Sequence, residues 1–421
     1  MTREDNDSST FIPDIVRQAD RASVQLAATL GVERSLAIAS LAKRLEASQA
    51  EILEANTWDL ETSRDMAVPE SLREWLKLTP ERLQKTVLIL QRLANLADPI
   101  LKVRHASPPV ESSQTYYQLM PLGTIALIYE AFPELAAIAA GFCLKTGNAL
   151  ILRGSSEASH TNAAIAGILQ GAIDESNLPS ESIVTIPAEQ GSSIQELVTQ
   201  NQGIDLVIPY GRASLIQKVS HLSTIPVLPA AIGNCYLYCS PSSDLDVVRE
   251  MILDSHASEP DPVNAIEKVL ICREGNFSSL MRLFASLQEK GFELRGDRAM
   301  CEAFPEELKL AEEEEWESAY LKKIVAFKAI GDMDEAIAWI DRYSSGHADC
   351  LVTESYSESQ QFARGVNSAL VYINSSPRFY RYPQRSDAVF LGISNQKGQR
   401  RGLIGLESLM TMKQIVQGKG F

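Results

Sequence analysis

The sequence predicts an α/β protein built on parallel sheets covered on both faces. Three observations carry that expectation. From Gly123 onward, short apolar runs rich in β-formers alternate with helix-like segments. A second alternation of the same kind begins at Val269. The chain has 421 residues, 45% hydrophobic and 22% charged, which suffices for two or three domains with well-buried cores.

The first hundred residues read as helices. Between Ser35 and Ile52, Leu36, Ile38, Leu41 and Leu45 recur near helical spacing, with Lys43, Arg44 and Glu46 between them. Thr79-Pro80-Glu81-Arg82 has the form of an N-cap with proline at the first helical position, and Asp98-Pro99 closes the helical region. Then come strand candidates at Thr124–Tyr129, Ala149–Leu152, Ile183–Ile186 and Leu206–Ile208. Helix candidates lie between them at Leu135–Leu144, Thr161–Glu175 and Ser193–Gln200. Such alternation implies right-handed crossovers and a ligand at the carboxyl ends of the strands. The second region offers strands at Val269–Cys272, Lys323–Ala326, Cys350–Thr353 and Ala369–Ile373, and a helix at Ser278–Lys290. The run Glu312–Glu315 reads as a solvated helix end or loop.

Net charge is -15 and the isoelectric point is near 5.0, which disfavours nucleic acid and anionic membrane as partners. The opening MTREDNDSST is polar, with no signal-peptide pattern, and no apolar run reaches the ~20 residues that span a bilayer. A cytoplasmic location is expected. The six cysteines, Cys143, Cys235, Cys239, Cys272, Cys301 and Cys350, are scattered and form no CxxC pair. That usage suits a reducing compartment, with thiols serving as small apolar residues. Cys235 and Cys239 lack a second ligand pair, so no metal site is expected.

Neither GxGxxG nor GxxxxGK[ST] occurs. What remains is a set of loops beside strands: Lys145-Thr146-Gly147-Asn148 leading into ALILRG, and Ile208-Pro209-Tyr210-Gly211. Read alone these are ordinary turns, and a nucleotide function rests on sheet architecture only.

Several strings in one order do more. Tyr129-Glu130-Ala131, CLKTGNALILRG (Cys143 to Gly154) and Asp205 to Pro209 resemble gamma-glutamyl phosphate reductase, a branch of the aldehyde dehydrogenase superfamily. Ser223-Thr224-Ile225-Pro226, Ser345-Gly346-His347-Ala348-Asp349, Tyr372-Ile373-Asn374 with Arg378-Phe379, and Gly405-Leu406-Glu407 extend the match. So do Ala55-Asn56 with Asp59, and Leu96-Ala97-Asp98-Pro99, and the likeness runs from about Asp14 to the C-terminus. The resemblance implies an aldehyde-dehydrogenase-like fold in three parts. A Rossmann-like cofactor domain would take residues 1–107, 122–237 and 372–391, and a smaller α/β catalytic domain residues 238–371. Residues 108–121 and 392–421 would serve oligomerisation, with Val110 to Met120 as a hairpin arm and Gly402 to Lys413 as its closing segment. The resemblance also implies a reaction in proline biosynthesis, NADPH-dependent reduction of L-glutamyl 5-phosphate to glutamate 5-semialdehyde through a cysteine thioester. Cofactor contacts would come from Lys145, Gly147, Asn148, Arg153, Gly154, Ser156, Pro209 and Gly211.

The sequence also departs from the family at five places. Where relatives carry the catalytic cysteine before an asparagine and a strand, this chain reads Pro262-Val263-Asn264, so the nucleophile position falls on Val263. Cys272, nine residues on, reads as a core residue. Phe132-Pro133-Glu134 replaces arginine, proline and an asparagine oxyanion donor; Glu134 would be an acceptor only and would repel developing negative charge. Ser156 stands where relatives place a lysine suited to the cofactor ribose or its phosphate. Pro229-Ala230-Ala231 replaces a glycine pair. Tyr380 to Val389, YRYPQRSDAV, replaces a glycine-rich loop, and its Arg381 and Arg385, with nearby Arg378, could fill the pocket or grip an anion. His347 matches a family position and reads as structural rather than as a general base. The loop Asp254 to Asp261, with His256 and Glu259, reads as solvated rather than as a hard-metal site.

Two function classes follow. One is an enzyme, the NADP-dependent reductase or a relative with altered chemistry. The other, favoured by convergence of the departures on the site, is an inactive paralogue that binds a ligand or a subunit. A homo-oligomer is expected, as is hetero-association with an active paralogue.

Overall fold

The computed structural model describes residues 8–105, 114–188, 194–231, 233–257, 263–273, 277–398 and 400–418. These fall into two compact units. The first comprises Met1–Ala230, Arg381–Gly392 and Leu403–Phe421, and the second Ala231–Tyr380 and Ile393–Gly402.

The first unit opens with five helices: α1 (Ser8–Ala28), α2 (Gly31–Ala47), α3 (Gln49–Asp65), α4 (Glu70–Leu76) and α5 (Pro80–Asn95). The single helix expected around Ser35–Ile52 is two, because the backbone leaves helical geometry at Ser48 (φ -97°, ψ 16°). Ile38, Leu41 and Leu45 face the core as expected, but Leu36 is 65% exposed. Thr79 caps α5, accepting from the Arg82 N–H at 3.3 Å, with Pro80 at the first helical position. Asp98 ends the region by accepting from the Ile100 N–H at 3.0 Å.

Strands β1 (Val103–His105) and β2 (Gln114–Pro121) pair antiparallel. A C-terminal strand, Met410–Gln417, closes the other side of β2, with Gln118 opposite Lys413. Part of the expected arm thus pairs with Met410–Gln417 within the chain, while Val110 to Ser113 lie outside the described residues. Next come β3 (Thr124–Tyr129), α6 (Leu135–Thr146), β4 (Ala149–Gly154), α7 (Ser159–Asp174), β5 (Ile183–Thr185), α8 (Ile194–Val198), β6 (Leu206–Gly211), α9 (Ala213–Leu222) and β7 (Ala230–Ala231). They build a sheet in the order β5-β4-β3-β6-β7, whose β5-β4, β4-β3 and β3-β6 pairs are parallel. Helix α6 is buried all round and accordingly apolar from Leu135 to Leu144, with Lys145 and Thr146 the buried polar residues of its last turn. Ile12 and Val16 of α1 pack with Ile128, Ile151 and Val207 of the sheet. Each such side chain contributes roughly 1.5–3 kcal/mol when fully buried.

The second unit runs β8 (Cys235–Cys239), α10 (Leu245–Ser255), β9 (Ile266–Cys272), α11 (Phe277–Glu289), β10 (Glu293–Gly296), α12 (Arg298–Ala303), β11 (Lys309–Leu310), β12 (Ile324–Ile330), α13 (Met333–Tyr343), β13 (Ala348–Val352), α14 (Tyr356–Gly365) and β14 (Leu370–Ile373). Its seven strands are all parallel, in the order β11-β10-β12-β9-β8-β13-β14. Aliphatic and aromatic clusters cover both faces, one around Phe284 and Phe327, the other around Tyr238, Trp316 and Phe362. The boundaries expected at 237/238 and 371/372 fall inside β8 and β14. Ladder hydrogen bonds tie both strands wholly to the second sheet, so the chain crosses earlier, at Ala231, and returns later, at Arg381. Among the described residues, no helix is long and apolar enough to cross a membrane.

Candidate functional site

In the first unit, the strands β3, β4 and β6 end on a common edge. Open parallel sheets bind ligands at such an edge. It collects Arg153 and Gly154 from β4, Ser155 and Ser156 just beyond, and Pro209 and Gly211 from β6. The Tyr129 hydroxyl donates to Asn162 Oδ1 at 2.9 Å, and Asn162 Nδ2 donates to the Ser155 carbonyl at 3.3 Å. A Cβ at position 154 would meet Asn162 Nδ2 at 2.2 Å, so glycine is needed there. Two polar atoms on this edge, Arg153 Nε and Ser155 Oγ, are buried without a hydrogen-bond partner. Burial holds the Arg153 pKa below its ordinary value, against the nearby Glu157 charge. Ser156 is exposed on the turn that leads to α7.

Lys145, Gly147 and Asn148 do not belong to this edge. They precede β4 and lie at the amino ends of the strands, where they serve the fold. Lys145 is 2% exposed; its ammonium donates to Ser35 Oγ at 2.9 Å and to the carbonyls of Ala94 and Leu96, closing the end of α5. Gly147, at φ 75°, ends α6 in the left-handed region. Asn148 accepts from the Gly123 N–H and donates to Thr146 Oγ1 and the Leu409 carbonyl. A Lys145→Met variant is expected to lose about 1–3 kcal/mol of stability in urea unfolding and to match the parent in a nicotinamide-cofactor titration. A tenfold loss of affinity at unchanged stability would return Lys145 to the cofactor.

Glu134 is not a bare acceptor. Arg82 Nε donates to its Oε1 at 3.1 Å, and Nη2 donates to the same oxygen. Both side chains are largely buried, and Arg82 also donates to the carbonyls of Trp75 and Lys77. The expected repulsion is therefore neutralised, though Glu134 Oε2 stays buried without a partner. The turn that carries Glu134 holds Ala131 and Phe132 at φ 56° and 46°, a conformation costly for residues with a Cβ. Phe132 is clamped there by Trp75 (stacked, 5.2 Å) and Tyr210 (edge-on, 5.7 Å).

In the second unit, Val263 is 1% exposed at the entry to β9, and its carbonyl accepts from the Gly233 N–H at 2.7 Å. Asn264 Nδ2 donates to the Pro377 carbonyl at 2.9 Å, and its Oδ1 lies 4.0 Å from Cys235 Sγ. His347 Nδ1 is 3.0 Å from Ser345 Oγ, while Nε2 is buried without a partner, and burial pushes the ring pKa down to about 4. A neutral ring held so low is a weak base near neutral pH. Gly233 joins these groups: a Cβ there would meet Cys235 Sγ at 2.9 Å and His347 Cβ and the Val263 carbonyl at 3.1 Å. Burial raises the Cys235 and Cys350 thiols well above the ordinary range, and Cys272 is buried at the far end of β9.

The arginines expected to grip an anion are engaged within the protein or apart from it. Arg378 donates to Asp254 Oδ1 at 3.0 Å, and Arg381 donates to the Tyr210 hydroxyl and the Leu391 carbonyl. Arg385 is exposed. Arg92 organises the loop around it, donating to the Pro383 and Ser386 carbonyls at 2.7 Å and stacking on Tyr382. His256 caps α10 instead of lying in a solvated loop. Its Nδ1 is 3.0 Å from the Ile252 carbonyl, its ring packs edge-on against Phe292, and burial lowers its pKa to about 4. Glu259 and Asp261 lie outside the described residues. Among the described residues, no group of three or more His, Cys, Asp or Glu could hold a metal.

Sequence reading missed Arg82, Ser155, Gly233 and the pair in which Arg212 grips Glu130 (2.7 and 2.9 Å). Arg212 directly follows Gly211 and could have been found by adjacency. Arg82 could not, since it is far from Glu134 in sequence.

Comparison with known proteins agrees with this architecture. The aldehyde dehydrogenase family model matches residues 5–256. Gamma-glutamyl phosphate reductase 2 of Synechocystis sp. is 54% identical over 98% of this chain and 99% of its own. The gamma-glutamyl phosphate reductase of Gloeobacter violaceus is 37% identical over 96% of each. The crystal structure of the Thermotoga maritima gamma-glutamyl phosphate reductase superposes with a TM-score of 0.89 at 32% identity, covering 97% of this chain and 99% of that one. The chain belongs to the gamma-glutamyl phosphate reductase family, within the aldehyde dehydrogenase fold.

Proposed function

We propose that this chain keeps the cofactor-holding edge of its family and has lost the cysteine-dependent step that makes glutamate 5-semialdehyde in proline biosynthesis. The observation that carries the reading is Val263, a buried valine at the nucleophile position. No lone pair is available there, so no thioester forms. The cysteines around it do not substitute: Cys235 and Cys350 are buried with raised pKa values, and Cys272 ends the strand that Val263 precedes.

NADP suits the edge of the first unit. The unpartnered Arg153 Nε and Ser155 Oγ fit a polar ligand, with Ser156, Pro209 and Gly211 beside them. Bound there, the nicotinamide would supply hydride. Serine at position 156 provides no ammonium for a phosphate, which removes a charge-assisted bond worth roughly 1.5–3 kcal/mol and weakens binding. A chain of this kind acts as a ligand-binding subunit, in homo-oligomers or beside an active paralogue.

The test pairs an NADPH fluorescence titration with a turnover assay on glutamate semialdehyde, phosphate and NADP. Saturable NADPH binding without turnover is the expected result. Turnover near one per second that survives thiol alkylation would overturn the loss of catalysis. Absence of NADPH binding would overturn the retained edge.

A further inference from the structure

We infer that the second unit carries a site for a small zwitterion, a free α-amino acid, at the end of its sheet opposite Val263. Strands β8 and β9 are parallel neighbours. Val263 precedes β9, whereas a cavity of about 560 Å³ opens beyond Cys239 and Cys272, the last residues of the two strands. The seven residues of β9 separate the two ends by roughly 20 Å, at ~3.3 Å per residue. The cavity is therefore distinct from the position of the lost nucleophile. Its place, at the carboxyl ends of parallel strands, is where open α/β sheets take ligands. Its size lies within the range of small-molecule pockets.

The lining sets the chemistry. The floor is apolar and hydroxylic, built from Cys239, Ser240, Ile271 and Leu283. The rim carries two cations, Arg249 of α10 and Arg282 of α11, and two carboxylates, Asp244 and Asp246. Arg249 Nη2 donates to Glu250 Oε1 at 2.8 Å, but its Nε is buried without a hydrogen-bond partner and its Nη1 is a loose 3.9 Å from Asp246. Among the described residues, Arg282 makes one long contact, 3.5 Å to Ser279 Oγ. Both guanidinium groups therefore have donors to spare for a carboxylate. The N-terminus of α10 does not compete for that role, since Asp244 Oδ1 already accepts from the Asp246 N–H at 2.8 Å.

These four charges cancel. A simple anion would meet the two aspartates, and a simple cation the two arginines. A ligand carrying both charges a few ångströms apart satisfies both pairs, and its side chain can rest on the floor.

Calorimetric titration of the full chain with the protein amino acids, one at a time, tests this. Each is compared with its decarboxylated amine and its N-acetyl derivative. At least one amino acid is expected to bind with a Kd below ~1 mM. Its two derivatives should bind at least tenfold more weakly, as should the amino acid to Arg249→Gln and Asp246→Asn variants. Arg282→Gln serves if circular dichroism shows either variant misfolded, and Val263→Cys should bind as the parent does. Absence of any binding, equal binding of a singly charged derivative, or undiminished binding by the folded rim variants would overturn the proposal.

Discussion

A Val263→Cys variant is expected to turn over glutamate semialdehyde, phosphate and NADP at least a hundredfold more slowly than one per second. The valine is 1% exposed, so a thiol in its place starts desolvated. Desolvation disfavours the thiolate, and each unit of pKa above about 8.5 removes a further tenfold of nucleophile at neutral pH. The neighbouring Cys235 shows the effect, since burial carries its thiol well above the ordinary range. Adding Glu134→Asn should not rescue the variant, because it leaves Arg82 without its carboxylate. Native-state labelling with a thiol reagent gives an independent reading: the variant should show no fast-reacting thiol beyond those of the parent. Turnover near one per second from the single substitution would show that the site was never dismantled.

The second large effect concerns Arg82. Replacing it with methionine should cost about 3–5 kcal/mol, the usual penalty for stranding one member of a buried ion pair. Glu134 would lose its cation while its second oxygen already lacks a partner. The Trp75 and Lys77 carbonyls would also lose donors. A double variant, Arg82→Met with Glu134→Leu, should recover most of the loss, since an apolar pair of similar volume needs no solvation. Urea unfolding of the two variants beside the parent decides the matter. A single variant within 1 kcal/mol of the parent would mean that the pair is solvated in solution.

The alternation of elements was legible because parallel strands buried on both faces read as mainly apolar runs, as in Ile125–Tyr129 of β3, Ala149–Leu152 of β4 and Val269–Cys272 of β9, although β9 also buries the Glu267–Lys268 pair. The capped start of α5 was legible because capping is local. Polarity along a strand was harder to use. Lys145, Gly147 and Asn148 sit in a recognisable string with Arg153 and Gly154, yet the six residues of β4 put the two groups at opposite ends of a sheet. Arg82 with Glu134, and Arg92 with the loop at Pro383, join residues far apart in the chain, and no local pattern announces such partners. The exposed Leu36 shows the converse, since helical spacing says which residues share a face but not how wide the buried stripe is.

The antiparallel sheet of the first unit has a consequence for synthesis of the chain. Strand β2 finds its partner in Met410–Gln417, so roughly 290 residues are made between the two. At about 5–20 residues per second, β2 waits roughly 15–60 s with one edge unpaired. An open edge is a template for the wrong partner, including the same strand of a neighbouring nascent chain. Crowded polysomes and chains truncated before Met410 are therefore where aggregation of this protein should begin. Nascent chains stalled before that residue offer the place to look for it.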